Sequence, residues 1–413
     1  MKSVGIIAEY NPFHTGHAYH IEESRRKANA DGVLVVMSGN FVQRGATAIA
    51  NKYTRAHSAI LGGADLVLEL PTIYATQSAE FFSTGAVSTL DKTGIINTLC
   101  FGSEEENIEV LKNIADVLYE EPDEYKEVLA AELKKGANLP SARSTALKTI
   151  LNSDNFDSII STPNNILALE YLKALKHFNS SINPINILRK GAAYHENSMS
   201  KEFTSATALR ECFNDEDFNK INGFMPSKVY ELYKSHYGLN LPIISDSISE
   251  LLNYSLLINA NNLTDFMDVS NNLAAKLNNY LSCGKILNFS ELILYLKSKE
   301  LTYTRISRAL INILLGIKKA DLENIKNNNF PSYFRVLAFN EKGKSLLASI
   351  KKNSDIPIIT NLSDGIDKLG GASKRMIEID IFAANIYRNF VKKQYGHNLI
   401  DEFRQKPVII DTN

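Results

Sequence analysis

A doubly wound α/β domain built on a parallel sheet, followed by a mainly helical second domain, is the architecture this chain predicts. Apolar runs of strand length recur at 4–8, 32–37, 65–70 and 96–101. Polar segments with helical patterning separate them, and the alternation fades after Arg210. Strand–helix repeats of this length close as parallel strands joined by right-handed crossovers.

Residues 4–8 read as a buried first strand and 18–30 as the helix after it. A second strand at 32–37 and a helix at 51–61 lead to a third strand at 65–70. Residues 76–90 look helical, and a fourth strand at 96–101 ends at Gly102. Helices fill 105–152 with Pro122 and Pro140 as breaks, and Pro163 opens a helix running through Leu175. A short strand at 185–188 is the last of the series, and the rest is helical, as in 248–258 and 305–315. A chain of 413 residues exceeds one ordinary core, so we expect two domains, 1–215 and 216–413.

Hydrophobic residues make up 44% and charged residues 22%, the balance of an ordinary globular protein. No apolar run approaches the roughly 18 residues of a membrane helix. Glu9 interrupts an apolar start too short for a signal segment. Cys100, Cys212 and Cys283 are odd in number and widely separated, which fits neither a disulfide framework nor a zinc site. The expectation is a cytoplasmic protein with no membrane span and no protein-held metal; nothing in the sequence fixes its oligomeric state. A net charge of −1 hides an asymmetry, because residues 301–413 carry 18 Lys/Arg against 11 Asp/Glu, a balance of +7. Such an end suits a polyanion, although a solvated helical surface has the same composition.

The chemistry concentrates in Asn11-Pro12-Phe13-His14-Thr15-Gly16-His17, directly after the first predicted strand. Ligands of open parallel sheets lie beyond the carboxyl ends of the strands, and the loop after the first strand is the usual phosphate cradle. Gly16 allows close backbone approach, the following helix offers N–H groups and its positive dipole end, and His14 and His17 can donate to the same anion. Donors aimed at oxygens that gain charge during attack on a phosphorus lower the barrier with no covalent role. The reading is ATP and adenylyl transfer. Thr204 to Arg210 forms a second cluster, a hydroxyl-rich helix start in which Arg210 can reach the outer phosphates. Asn164 and Asn165 open the helix after Pro163, Arg189 and Lys190 follow the 185–188 strand, and Gly102 ends another strand. The long loop 38–45 carries Asn40, Gln43 and Arg44 at a strand end, where loops are commonly functional. Walker-type, G-x-G-x-x-G and H-E-x-x-H patterns are absent, and Mg²⁺, which needs few protein ligands, would come with the nucleotide. Residues 198–201 only faintly resemble a synthetase signature.

Together, Ile6 through His17, Met37 through Gly45, Phe101-Gly102-Ser103-Glu104, Pro163 through Leu167 and Ser205 through Arg210 resemble the bacterial tRNA(Met) cytidine acetate ligases of the nucleotidylyltransferase superfamily. That resemblance implies acetyl-adenylate formation from acetate and ATP, then acetyl transfer to the wobble cytidine of elongator tRNA(Met). It implies ATP contacts at Ile7, Ala8, Glu9, Tyr10, Asn11, Pro12, Phe13, His14, Thr15, Gly16, His17, Ala18, Tyr19, His20, Gly102, Asn164, Arg189 and Lys190. Candidate RNA-phosphate contacts are Arg305, Arg308, Lys318, Lys319, Arg335, Lys342, Lys344, Lys374 and Arg375. Two other readings stay open: a transferase that builds a nucleotide cofactor, and an RNA-binding protein in which ATP is structural.

Overall fold

The computed structural model describes residues 1–152, 156–189, 206–214, 218–326 and 333–411. The strands are β1 Ser3–Ala8, β2 Gly32–Ser38, β3 Phe41–Val42, β4 Ala46–Thr47, β5 Leu66–Leu70, β6 Thr98–Ser103, β7 Asn183–Leu188, β8 Phe334–Phe339, β9 Ile358–Ile359 and β10 Val408–Ile409. The main sheet has the order β10-β8-β5-β2-β1-β6-β7, β9 pairs with β8, and β3 and β4 form a separate hairpin. In-phase parallel register, Ala8 beside Met37 and Ser38 beside Leu70, brings the carboxyl ends of β1, β2 and β5 to one edge.

Period-two alternation buries both faces of the sheet. Leu34, Val36, Leu66 and Leu68 enter one core, while Val33, Val35, Met37 and Val67 enter the other. Helix α1 spans Thr15–Ala28 and α2 spans Lys52–Leu61. The Asn51 side chain caps α2 by accepting from the N–H groups of Tyr53 and Thr54.

Several expectations need correction. Helix α1 begins at Thr15 rather than residue 18, because His14 serves as its N-cap. The helix expected at 76–90 is two, Thr72–Ala75 and Ala79–Lys92, parted where the buried Gln77 side chain donates to Asn312. Gly102 lies within β6, not after it. Pro122 and Pro140 do mark the expected breaks, each at the start of a new helix, where a missing N–H costs nothing. Strands β1, β2, β5, β6 and β7 are parallel, whereas β8 pairs antiparallel with β5, Leu66 beside Phe339, and β9 and β10 run with β8. Strands β8, β9 and β10 come from the segment read as helical, so the sheet draws on both halves of the chain.

An ionic cluster ties those halves together. Lys52 Nζ lies 2.9 Å from both Glu69 oxygens and 3.0 Å from Glu402, and Arg335 lies 3.7 Å from Glu402. All four are buried. Burial opposes the Lys52 charge, but Glu402 and Glu69 outweigh it and hold the ammonium above its ordinary range. Removing one partner strands the others, so Lys52→Met is expected to cost about 3–5 kcal/mol in urea unfolding at pH 7; a loss below about 1 kcal/mol would contradict this role.

Candidate active site

The strand order reverses at β1, from which the chain passes first to β2 and β5 on one side and then to β6 and β7 on the other. The crevice between β1 and β6 is therefore the expected ligand position. The loop leaving β1 turns sharply there: Tyr10 has φ of 50°, and the Asn11–Pro12 peptide is cis. Arg55 holds the turn from below, and the Asn11 side chain accepts from Ile49 N–H at 2.8 Å. Phe13 packs beneath it against Gly62, where a Cβ would come within 2.2 Å of the ring.

His14 and His17 stack with ring centroids 3.7 Å apart and planes 23° from parallel. Tyr10 meets His17 edge-on at 4.9 Å, and Phe13 tilts against it at 5.5 Å. His17 Nδ1 accepts from the His14 backbone N–H at 3.3 Å, which places the proton of a neutral ring on Nε2. Burial, with Arg189 and Arg210 adding to it, pushes His14 down to about 3. Burial and His14 push His17 well below the usual histidine range. His20, buried and bonded to the Phe101 backbone, is pushed down to about 4. At neutral pH these are uncharged donors. Of the N–H groups in the first turn of α1, Thr15 donates to Phe224 O and His17 to His14 O, whereas Gly16 makes no such bond among the described residues.

Arg210 reaches the same loop from the helix Ala206–Asn214, donating to Asn11 O at 2.7 Å and Thr207 Oγ1 at 2.9 Å. Arg189 approaches from β7, donating to Asn164 Oδ1 at 3.0 Å, and its side chain covers Gly102, where a Cβ would lie 3.3 Å from Arg189 Cγ. Asn164 and Asn165 are held by Glu104: Asn164 Nδ2 donates to its carboxylate, and Asn165 Oδ1 accepts the Glu104 and Glu105 N–H groups. Ile7, Ala8, Ala18 and Tyr19 line β1 and α1 around the loop. Lys190, Thr204, Ser205 and residues 198–201 lie outside the described residues.

The side chains of the 38–45 loop are largely committed to holding it. Asn40 Oδ1 accepts Lys52 N–H, Gln43 Nε2 donates to Gln77 O, Gln43 N–H donates to Glu9, and Arg44 is exposed. Gly45, at φ 74°, seats against the helix Tyr303–Leu315: its Cβ would lie 2.4 Å from Arg308 N, and Ser307 Oγ donates to its carbonyl. Sequence reasoning missed Arg55, Glu69 and Lys52, whose only signal was unusual charge in otherwise apolar elements. Among the proposed RNA contacts, Arg335 is buried in the ionic cluster and Arg308 is tied to Asp268 at 2.7 Å. Arg375 is paired with Asp321, and Lys319 donates to the carbonyls of Thr264 and Val269. Arg305, Lys318, Lys342, Lys344 and Lys374 are exposed.

A doubly wound sheet carrying a His-x-Gly-His turn over its reversal point defines the class, a nucleotidyl transferase. The family model for HIGH Nucleotidyl Transferase matches residues 1–402. The chain is 41% identical to a tRNA(Met) cytidine acetate ligase of Clostridium perfringens, over 94% of this chain and 95% of that one. It is 40% identical to the ligase of that name from Caldanaerobacter subterraneus subsp. tengcongensis, over 99% and 100%. The crystal structure of Thermotoga maritima TmcAL bound with α-thio ATP superposes with a TM-score of 0.90 at 31% identity, covering all of both chains. The chain belongs to the tRNA(Met) cytidine acetate ligase family of HIGH nucleotidyl transferases.

Because the folded histidines lie below the 6.5 of the unfolded chain, the stability they contribute is complete above about pH 6.5. It is lost as the pH falls through about 4 for His20 and about 3 for His14. The thermal midpoint should fall across that window in calorimetry, and His20→Asn should flatten the upper part; an unchanged slope would contradict the assignment.

Proposed function

We propose that the chain ligates acetate to the wobble cytidine of elongator tRNA(Met) at the expense of ATP, through acetyl-adenylate. The observation that carries this is the uncharged His14–His17 stack, its His14 buried and its His17 half-buried, flanked by Arg189 and Arg210. Full-length likeness to ligases of that name supports it over a cofactor-building transferase or a binding protein.

An acetate oxygen attacks the α-phosphorus, an O–P bond forms, and the bond to pyrophosphate breaks. Negative charge grows on the non-bridging and leaving oxygens. Gly16 N–H, His17 Nε2–H, His14 and Arg210 supply donors there, and neutral rings held by stacking need no reorganisation as the charge arrives. The rest of the segment from Ile7 to His20 shapes the nucleotide cleft, and Gly102, Asn164 and Arg189 flank its β6 side. Mg²⁺ would arrive on the triphosphate, held by phosphate oxygens and water. In the second step the cytidine N4 attacks the acetyl carbon, a C–N bond forms, AMP leaves with the bridging oxygen, and N4 gives up a proton. Residues 216–413, with exposed Arg305, Lys318, Lys342, Lys344 and Lys374, would meet tRNA phosphates. Among the described residues no helix is long and apolar enough to cross a membrane, which agrees with a cytoplasmic site of action.

The test is acetate-dependent exchange of pyrophosphate into ATP, followed by N4-acetylcytidine in elongator tRNA(Met). His17→Ala should lower exchange by about 10²–10³-fold in protein that still unfolds cooperatively above the assay temperature. Full exchange in that variant, or no acetate dependence in the wild type, would overturn the reading.

A further inference from the structure

Three successive residues at the end of the central strand β1, Ile7, Ala8 and Glu9, are half-buried. Their neighbours on β2, Val36 and Met37, and the Ser38 that follows, are fully buried. The crevice therefore opens over the end of β1. Alternation sends its side chains to opposite faces. Ala8 packs with Ala18 and Tyr19 of α1 against one core, and Ile7 packs against the other, which holds Tyr171 of the helix Pro163–His177. Glu9 follows Ile7. Burial and then the Glu9 charge raise the Tyr171 phenol above its ordinary range, which agrees with that placement.

Glu9 is fixed at both ends. Its backbone carbonyl accepts from Arg55 Nη1 at 2.6 Å, and its Oε1 accepts the Gln43 N–H at 2.7 Å. Among the described residues Oε2 accepts no hydrogen bond and the carboxylate forms no ion pair. Such a charge opposes the first step, since acetate and the triphosphate are both anions. It suits the second. An in-line displacement puts the entering oxygen opposite the leaving one. Pyrophosphate leaves toward His14, His17 and Arg210 on the α1 side, so the acetyl group is built on the face that Glu9 shares with Ile7. Of the groups that meet at that carbon, the cytidine amine alone is a donor, and a carboxylate accepting from N4 is the pairing that singles out cytosine.

We infer that Glu9 is the catalytic residue of acetyl transfer: its Oε2 accepts an N4–H of the wobble cytidine and takes that proton as N4 attacks. This rests on the ligase reading. The amine lone pair is drawn into the pyrimidine ring, so N4 is a weak nucleophile and gains from a base at hydrogen-bond distance. The N4–C bond forms, the C–O bond to AMP breaks, and AMP departs with the oxygen and the electron pair. The proton ends on the Glu9 carboxylate and passes to water.

The test uses full-length protein loaded with a stable acetyl-adenylate analogue, an N-acetylsulfamoyl adenosine. It is titrated with elongator tRNA(Met) carrying either cytidine or uridine at the wobble position. Uridine presents an acceptor oxygen where cytidine presents the amine, so the wild type should bind the cytidine form about tenfold tighter. Glu9→Gln keeps an acceptor for the Gln43 N–H but turns a donor toward the base, and the preference should shrink below about twofold. In the same variant, transfer from preformed acetyl-adenylate to tRNA should fall about 10²-fold, while the reverse reaction of acetyl-adenylate with pyrophosphate should fall less than about tenfold. A preserved base preference would overturn the proposal. So would equal losses in the two reactions, which mark a role in nucleotide binding or in holding the loop. If Glu9→Gln does not fold, Glu9→Ala goes through the same comparison. A wild type that acetylates tRNA but binds both forms equally loses the Glu9 role and keeps the ligase reading; one that makes no acetyl-adenylate loses both.

Discussion

Three carbonyl oxygens that would repel one another at the ends of β1 and β2 are drawn together by the Arg55 guanidinium, and the rest of the site depends on that contact. Strand ends in a parallel sheet leave carbonyls without ladder partners, and a buried orphan of that kind is expensive. One planar side chain with five donors meets the need in a fixed geometry. It sets the direction in which the chain leaves β1, and so where Asn11, His14 and the start of α1 stand. It also fixes the exit from β2, whose loop is then latched to the helix Tyr303–Leu315 through Gly45 and Ser307.

Above this anchor the electrostatics are deliberately one-sided. His14, His17 and His20 are kept uncharged by burial and by the neighbouring guanidinium groups of Arg189 and, for His14, Arg210. The site is therefore positive through two arginines, with neutral imidazoles as oriented donors. A triphosphate meets attraction at long range from the arginines and short directional bonds from rings that were stacked before it arrived. The cluster of Lys52, Glu69, Glu402 and Arg335 lies under the same loop and closes on itself, so it lends support without competing for the ligand.

What could be read in the sequence was what is local. The β1 strand, the turn and α1 are contiguous, and His-x-Gly-His after an apolar run points to a phosphate site without knowledge of anything distant. The helix starts at Asn51 and Pro163 were legible for the same reason. Strand β8 was not, because Phe334–Phe339 is a short apolar run in a helical neighbourhood and its partner β5 lies more than 260 residues earlier. Charge counting misled at Arg308 and Arg335, since composition records a guanidinium but not the Asp268 or Glu402 that holds it. Arg55 left almost no trace, as its partners are backbone atoms that every residue has.

The central claim is that this site directs acetate at the α-phosphorus of ATP. It is tested most directly by running the tRNA reaction with acetate labelled with ¹⁸O at both oxygens and weighing the nucleotide product by mass spectrometry. Acetyl-adenylate chemistry predicts that AMP gains a single ¹⁸O, because the attacking oxygen stays on phosphorus when the cytidine amine takes the acetyl group. Label in inorganic phosphate, with ADP as the nucleotide product, would place the attack at the terminal phosphorus and contradict the account.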